Sequence, residues 1–127
     1  MDQLDIFDAS PIKTKLDYFM LNVDDTSLTI VDVQGKLASL MFEKEAMITQ
    51  LKILIQGAKF LKIPILWLEQ YPKGLGTTIP EIAELLSNQI PIEKNSFSAY
   101  SISGYRKQLQ NIRRRHVVVA GIESHIC

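Results

Sequence analysis

Short blocks of consecutive apolar residues alternate along this chain with stretches whose apolar positions recur every three or four residues. Leu28 to Val33 is the first block, apolar through Val31 except for Thr29, and it reaches Asp32 and Gln34 at its carboxyl end. A run this short and this apolar predicts a strand buried on both faces of a parallel sheet. From Glu43 to Lys62, the residues Met47, Leu51, Leu54, Ile55, Ala58 and Leu61 share one face at helical spacing. That pattern predicts a helix. Ile63-Pro64 stops it, because the residue before a proline is pushed out of the α region. Ile65 to Leu68 is a second buried strand, ending at Glu69-Gln70.

Pro72, Gly74 and Gly76 make Tyr71 to Thr78 a loop over the same end of the sheet. Pro80 suits the first turn of a short helix reaching about Leu86. Ile90-Pro91-Ile92 predicts a brief third strand leading to Glu93-Lys94. Ser103 is expected to cap a last helix to Ile112, with Arg113, Arg114 and Arg115 at the negative end of its dipole. Val117 to Ala120 predicts a fourth strand, which Gly121 ends before a turn to Cys127. Residues 1–27, acidic and irregular, are expected to form an amino-terminal arm, and residues 28–127 the domain. Strands alternating with helices predict an α/β fold: a parallel, doubly wound (Rossmann-like) sheet with helices on both faces.

Composition sharpens this only in part. A chain of 127 residues is enough for one domain. Fourteen basic residues balance fourteen acidic ones, so no global field would draw nucleic acid or a membrane surface. The apolar runs fall short of the ~20 residues that span a bilayer. The amino terminus does not have the basic-then-apolar pattern of a secretory signal. The single cysteine cannot form an internal disulfide, which fits a reducing compartment. A cytoplasmic protein is therefore expected.

The candidate chemistry lies at strand ends. Asp32, Lys94 and Cys127 each follow or close a predicted parallel strand, so all three fall on one rim. If right-handed crossovers set the first and fourth strands side by side, Asp32 and Cys127 become neighbours. A thiol is mostly protonated at neutral pH; a lysine ammonium favours its thiolate and a carboxylate can take its proton. Each residue also has a plainer reading. A lone cysteine is often a small buried hydrophobe, Asp32 could be a turn residue and Lys94 a solvated charge. No Gly-x-Gly-x-x-Gly follows the first strand, which argues against a nucleotide site.

The segment Leu28-Thr-Ile-Val-Asp-Val-Gln34 resembles the first strand of the isochorismatase-like cysteine hydrolases. Glu93-Lys-Asn-Ser-Phe-Ser98 is similar to their lysine motif, and Gly121-Ile-Glu-Ser-His-Ile-Cys127 to their nucleophile turn. Glu69-Gln-Tyr-Pro-Lys-Gly-Leu-Gly76 resembles the isochorismatase-domain subgroup in particular. The resemblance implies Asp32 as general base, Lys94 as supporting cation and Cys127 as nucleophile. It implies attack on a small amide, loss of ammonia or an amine, and hydrolysis of a thioester. It also implies a cis Ile122–Glu123 bond, which would aim the N–H groups of Glu123 and Cys127 into an oxyanion hole. Gln34, Glu69 and Phe97 are candidate substrate contacts. No metal and no other cofactor is expected, because Glu69-Gln70-Tyr71 stands where metal-binding relatives carry aspartate and histidines. His125 is expected to be a packed or supporting residue.

The family continues past its cysteine with further strand–helix units, so its carboxyl-terminal strands are expected to be missing here. The partners implied are a small-molecule substrate and further copies of the chain in a homo-oligomer, with neither nucleic acid nor membrane. An alternative is a truncated, non-catalytic remnant that associates through its open sheet edge. A redox-sensing thiol is a third reading.

Overall fold

The first strand, β1 (Thr26–Val31), is buried along its whole length, as its apolar run predicts. The computed structural model describes residues 20–123 of the chain. β1 begins at Thr26, before the expected Leu28, and ends at Val31, before the expected Val33. The early end has a local cause, because Asp32 takes φ +56°, which breaks the extended backbone. A four-residue helix, α1 (Gly35–Ala38), follows in a stretch to which the sequence pattern assigns no element.

The long helix α2 (Lys44–Phe60) falls within the predicted Glu43–Lys62 and buries Ile48, Leu51, Ile55 and Ala58, whereas Leu54 and Leu61 of the expected face are exposed. β2 (Ile65–Gln70) follows and extends beyond the expected Leu68. Inside the predicted loop lies a one-turn helix, α3 (Pro72–Leu75), with Pro72 at its first position. α4 (Pro80–Ala83) continues as a 3₁₀ turn over Glu84–Leu86. The third strand, β3 (Ile92–Lys94), is shifted towards the carboxyl end from the predicted Ile90–Ile92. Ile90 is 87 % exposed and Pro91 has no N–H to donate, so pairing begins only at Ile92.

α5 (Ser103–Ile112) occupies its predicted span, but Ile102 rather than Ser103 is the cap residue, and no side chain caps it. The arginines after it also differ in role from the dipole reading. Arg113 adopts φ +57° and closes the helix through its N–H to the Leu109 carbonyl. Arg114 Nη1 donates to the Val23 and Thr26 carbonyls, and Arg115 pairs with the Asp25 carboxylate at 2.5 Å. Both side chains tie the approach to β1 to the start of β4 (His116–Gly121). Burial works to raise Asp25, but the hydrogen bonds and charge of Arg115, with His116 nearby, outweigh it and hold the carboxyl below its ordinary value.

The four strands are parallel and ordered β3-β2-β1-β4, so β1 and β4 are neighbours as the topology argument requires. One face of the sheet buries Leu28, Ile30 and Trp67 against α2, α4 and the turn after it. The other buries Val31, Leu66 and Leu68 against Tyr105 of α5. The alternation of β1 between two cores is what makes it apolar on both faces. On the α5 side, Thr29 Oγ1 and the Tyr105 hydroxyl share a buried hydrogen bond of 2.7 Å. Burial pushes the Tyr105 hydroxyl up from its ordinary value, and the Thr29 bond offsets part of that.

β4 lies where the open sheet edge is expected, beside β1. It is an edge strand among the described residues, and Val117 and Val119 are 39 % and 45 % exposed. Val118 and Ala120, pointing the other way, pack against the core beside α2.

Candidate active site

The left-handed conformation of Asp32 directs its carboxylate at the carboxyl rim of the sheet. Aspartate tolerates this region better than most residues, yet such a conformation costs on the order of 1–3 kcal/mol and persists only where the surroundings enforce it. Here the Asp32 N–H donates to the Leu68 carbonyl of β2 at 3.2 Å. Asp32 is 6 % exposed; its Oδ2 lies 2.8 Å from Lys94 Nζ. Oδ1 is buried with no hydrogen-bond partner among the described residues.

Lys94 is 1 % exposed, an unusual place for a lysine unless it is paired. The β2–β3 register sets it opposite Gln70. Besides Asp32, its ammonium reaches Gln70 Oε1 at 2.6 Å, the Phe97 carbonyl at 2.9 Å and the Ser96 carbonyl at 3.0 Å. Two of the three proposed catalytic residues are thus in direct contact. Cys127 lies outside the described residues, as does His125.

Gln34 and Glu69, read from the sequence as substrate contacts, hold the neighbouring loop. Gln34 is fully buried. Its Nε2 donates to the carbonyls of Gln70 and Gly76, and its Oε1 accepts the Gln70 N–H at 2.7 Å. Those bonds use both of its donors and its oxygen. Glu69 Oε2 accepts from the backbone N–H of Thr78 at 2.7 Å and from its hydroxyl at 2.8 Å. The same hydroxyl accepts from Trp67 Nε1. On the other side of the loop, Lys36 Nζ donates to the Gly74 carbonyl. A Cβ at Gly74 would lie 2.2 Å from the Tyr71 ring, which would have to shift to admit it. Phe97 is 67 % exposed at the rim, and its carbonyl accepts from Lys94 Nζ.

On the other flank β1 and β4 approach closely at their carboxyl ends. Val31 pairs with Gly121, and a Cβ on Gly121 would fall 2.2 Å from the Val31 carbonyl oxygen. Only glycine permits this contact, and it brings the chain leaving β4 alongside Asp32. The Ile122–Glu123 bond is trans, as are all peptide bonds among the described residues, against the cis bond the resemblance implies. Trans is the lower-energy form by ~2.5–4 kcal/mol when no proline follows. The side of the chain on which Glu123 lies is exposed.

Gln70, Ser96 and Thr78 are the site-forming residues that the sequence reading passes over. Their weight comes from contacts across strands, although the place of Gln70 beside Glu69 at a strand end is a usable signal. Among the described residues no group of three histidine, cysteine, aspartate or glutamate side chains could hold a metal ion. No described helix is long and apolar enough to cross a membrane.

Residues 26–127 match the isochorismatase domain. The chain belongs to the isochorismatase-domain family. It is 33 % identical over 108 residues to isochorismatase domain-containing protein 2 of Danio rerio, covering 84 % of this chain and 53 % of that protein. It is 31 % identical over 112 residues to isochorismatase family protein 1B of Dictyostelium discoideum, covering 82 % and 52 %. Among solved structures, the MAR1 ribonuclease from Caenorhabditis elegans superposes with a TM-score of 0.74 at 37 % identity, over 84 % of this chain and 55 % of that one. The octameric YcaC hydrolase of unknown specificity from Escherichia coli gives 0.70 at 21 % identity, over 80 % and 52 %, a likeness of fold alone. The chain spans about half the length of the isochorismatase-domain relatives it matches.

Proposed function

We propose that this chain is a cysteine hydrolase of the isochorismatase-domain family acting on a small amide. Asp32 is the base, Lys94 the cation and Cys127 the nucleophile. The buried Asp32–Lys94 pair carries this reading: one carboxylate oxygen is held by the ammonium at 2.8 Å and the other is buried without a donor among the described residues. An unserved buried acceptor on a strained residue is a fit place for a proton to arrive. The close β1–β4 approach at Gly121 supports a thiol following β4 as that proton's source.

In this mechanism Asp32 takes the thiol proton as sulfur bonds to the carbonyl carbon. The charge of Lys94 and the N–H of Cys127 serve the oxyanion, whereas the Glu123 N–H follows a trans bond here and lacks the cis geometry that would aim it there. Asp32 returns the proton to nitrogen as the C–N bond breaks, and ammonia or an amine leaves. Water then attacks the thioester, giving one proton to Asp32 as the C–S bond breaks, and that proton returns to the thiolate. The exposed Phe97 walls the substrate, while Gln34 and Glu69 act on it through the loop they hold. The donor set Glu69-Gln70-Tyr71 calls for no metal, so turnover should survive a strong chelator; loss with recovery on added zinc or manganese would overturn that point.

The test is ammonia release from small primary amides, by this chain and by the chain extended to the family's length. Asp32→Asn, Lys94→Ala and Cys127→Ala should each lower turnover by orders of magnitude, because the three act as a unit. Full activity in Cys127→Ala would replace the thioester route by water attack directed from Asp32. A second reading, cleavage of RNA, is favoured by the name of the C. elegans ribonuclease at 37 % identity. Degradation of single-stranded RNA, lost in Asp32→Asn and accompanied by no amide turnover, would establish it instead. Association of copies, in a cytoplasmic homo-oligomer, is supported by the exposed valines of the β4 edge.

A further inference from the structure

The ammonium of Lys94 has three N–H donors but, among the described residues, four oxygen acceptors within reach. Three of those acceptors are uncharged carbonyl oxygens, so together they can receive every N–H without Asp32. This matters to the reaction proposed above, on which the inference rests. When Asp32 accepts the thiol proton, its negative charge passes to sulfur and it no longer balances Lys94. A lysine held chiefly by Asp32 would then lose its anchor in a site that leaves it 1 % exposed to solvent.

We infer that Gln70 is a positioning residue for this reaction: it completes a seat of neutral carbonyl oxygens that keeps the Lys94 ammonium in place while Asp32 carries the thiol proton. Ser96 and Phe97 contribute main-chain carbonyls, fixed by the turn after β3. The third oxygen, Gln70 Oε1 at 2.6 Å, belongs to a side chain and needs its own support. Gln34 supplies it. Its amide grips both the N–H and the carbonyl of Gln70, at 2.7 and 2.8 Å, and a third bond ties it to Gly76. The Tyr71 N–H donating to the Lys94 carbonyl at 2.9 Å fixes the two strands at the same level. The order of support runs from Gln34 through Gln70 to Lys94, and only the last faces the reacting groups.

Cys127 is the sole cysteine, so iodoacetamide alkylation of the whole chain reports on that thiol alone. The experiment measures its rate against pH in the parent, Gln70→Met, Lys94→Met and the double variant, with thermal melts to show that each is folded. Gln70→Met should slow alkylation at pH 7 by about threefold to tenfold and move the profile to higher pH, as one of three neutral acceptors of a charged donor is lost. Lys94→Met should slow it at least as much, and the double variant no more than Lys94→Met alone. Should Gln70→Met not fold, Gln70→Leu, which likewise offers Nζ no acceptor, gives the same readout.

If Lys94→Met slows alkylation and Gln70→Met does not, Gln70 has no positioning role and the three-residue reading stands. Additive slowing in the double variant would also overturn it, since Gln70 would then act elsewhere. If Lys94→Met leaves the profile unchanged, the cation reading fails, and this inference with it.

Discussion

At the carboxyl ends of β1, β2 and β3 the protein buries charge and amide groups, whereas along β4 it exposes valine. Asp32, Gln34, Glu69 and Lys94 are all under a tenth exposed, while Val117 and Val119 are 39 % and 45 % exposed. The inversion has one cause. Polar groups at the strand ends find partners from several elements, as Lys94 finds acceptors in Asp32 after β1, in Gln70 of β2 and in the turn after β3. Among the described residues Val117 and Val119 of β4 belong to neither core, whereas on β3, also an edge strand, Lys94 is closed in by β2 and the turn after it. Burial here follows what packs over each strand more closely than it follows hydropathy.

The sharpest way to break that comparison is to remove the charge from the buried side. Lys94→Met should destabilise the fold by about 3–5 kcal/mol, because it leaves the Asp32 carboxylate buried and unpaired. Adding Asp32→Asn should recover much of the loss, which urea denaturation would read directly. Equal stability of the single and double variants would mean that Asp32 is not a buried charge once Lys94 is gone.

Next in size is Tyr105→Phe, which strips the Thr29 hydroxyl of its partner on the face of β1 that α5 covers. A loss of about 1–3 kcal/mol is expected, and no change would show that water reaches Thr29. On the exposed strand, Val117→Thr with Val119→Lys should alter stability by only ~0.5 kcal/mol. Their effect should appear instead in light scattering, as weaker self-association, since charge on an edge strand blocks pairing.

Smallest is the Asp25–Arg115 pair at the entrance to β1, with its partners 18 % and 50 % exposed. Asp25→Asn should cost about 0.2–1 kcal/mol, and less in high salt. Because the folded carboxyl lies below its ordinary value of 3.8, its contribution is complete above that value and is lost as pH falls through the folded one. The difference between parent and variant should therefore close in strong acid and stay constant from pH 5 to 8.

Sequence pattern alone determined the alternation of elements, the parallel α/β class and the placing of Asp32 and Lys94 at strand ends. Those follow from periodicity within a few residues, which a strand or helix imposes locally. Pairing across strands is another matter. That Gln70 faces Lys94, that Gln34 clamps the loop after β2 and that Gly121 lies against the Val31 carbonyl are consequences of register between segments far apart in the chain. The same holds for Thr26 and Ser27, which look like the end of an acidic arm and are buried because β4 lies beside them. Residue types specified which strands would form; only the tertiary packing decided which polar groups would meet, because hydrogen bonds depend on distances that no local period encodes.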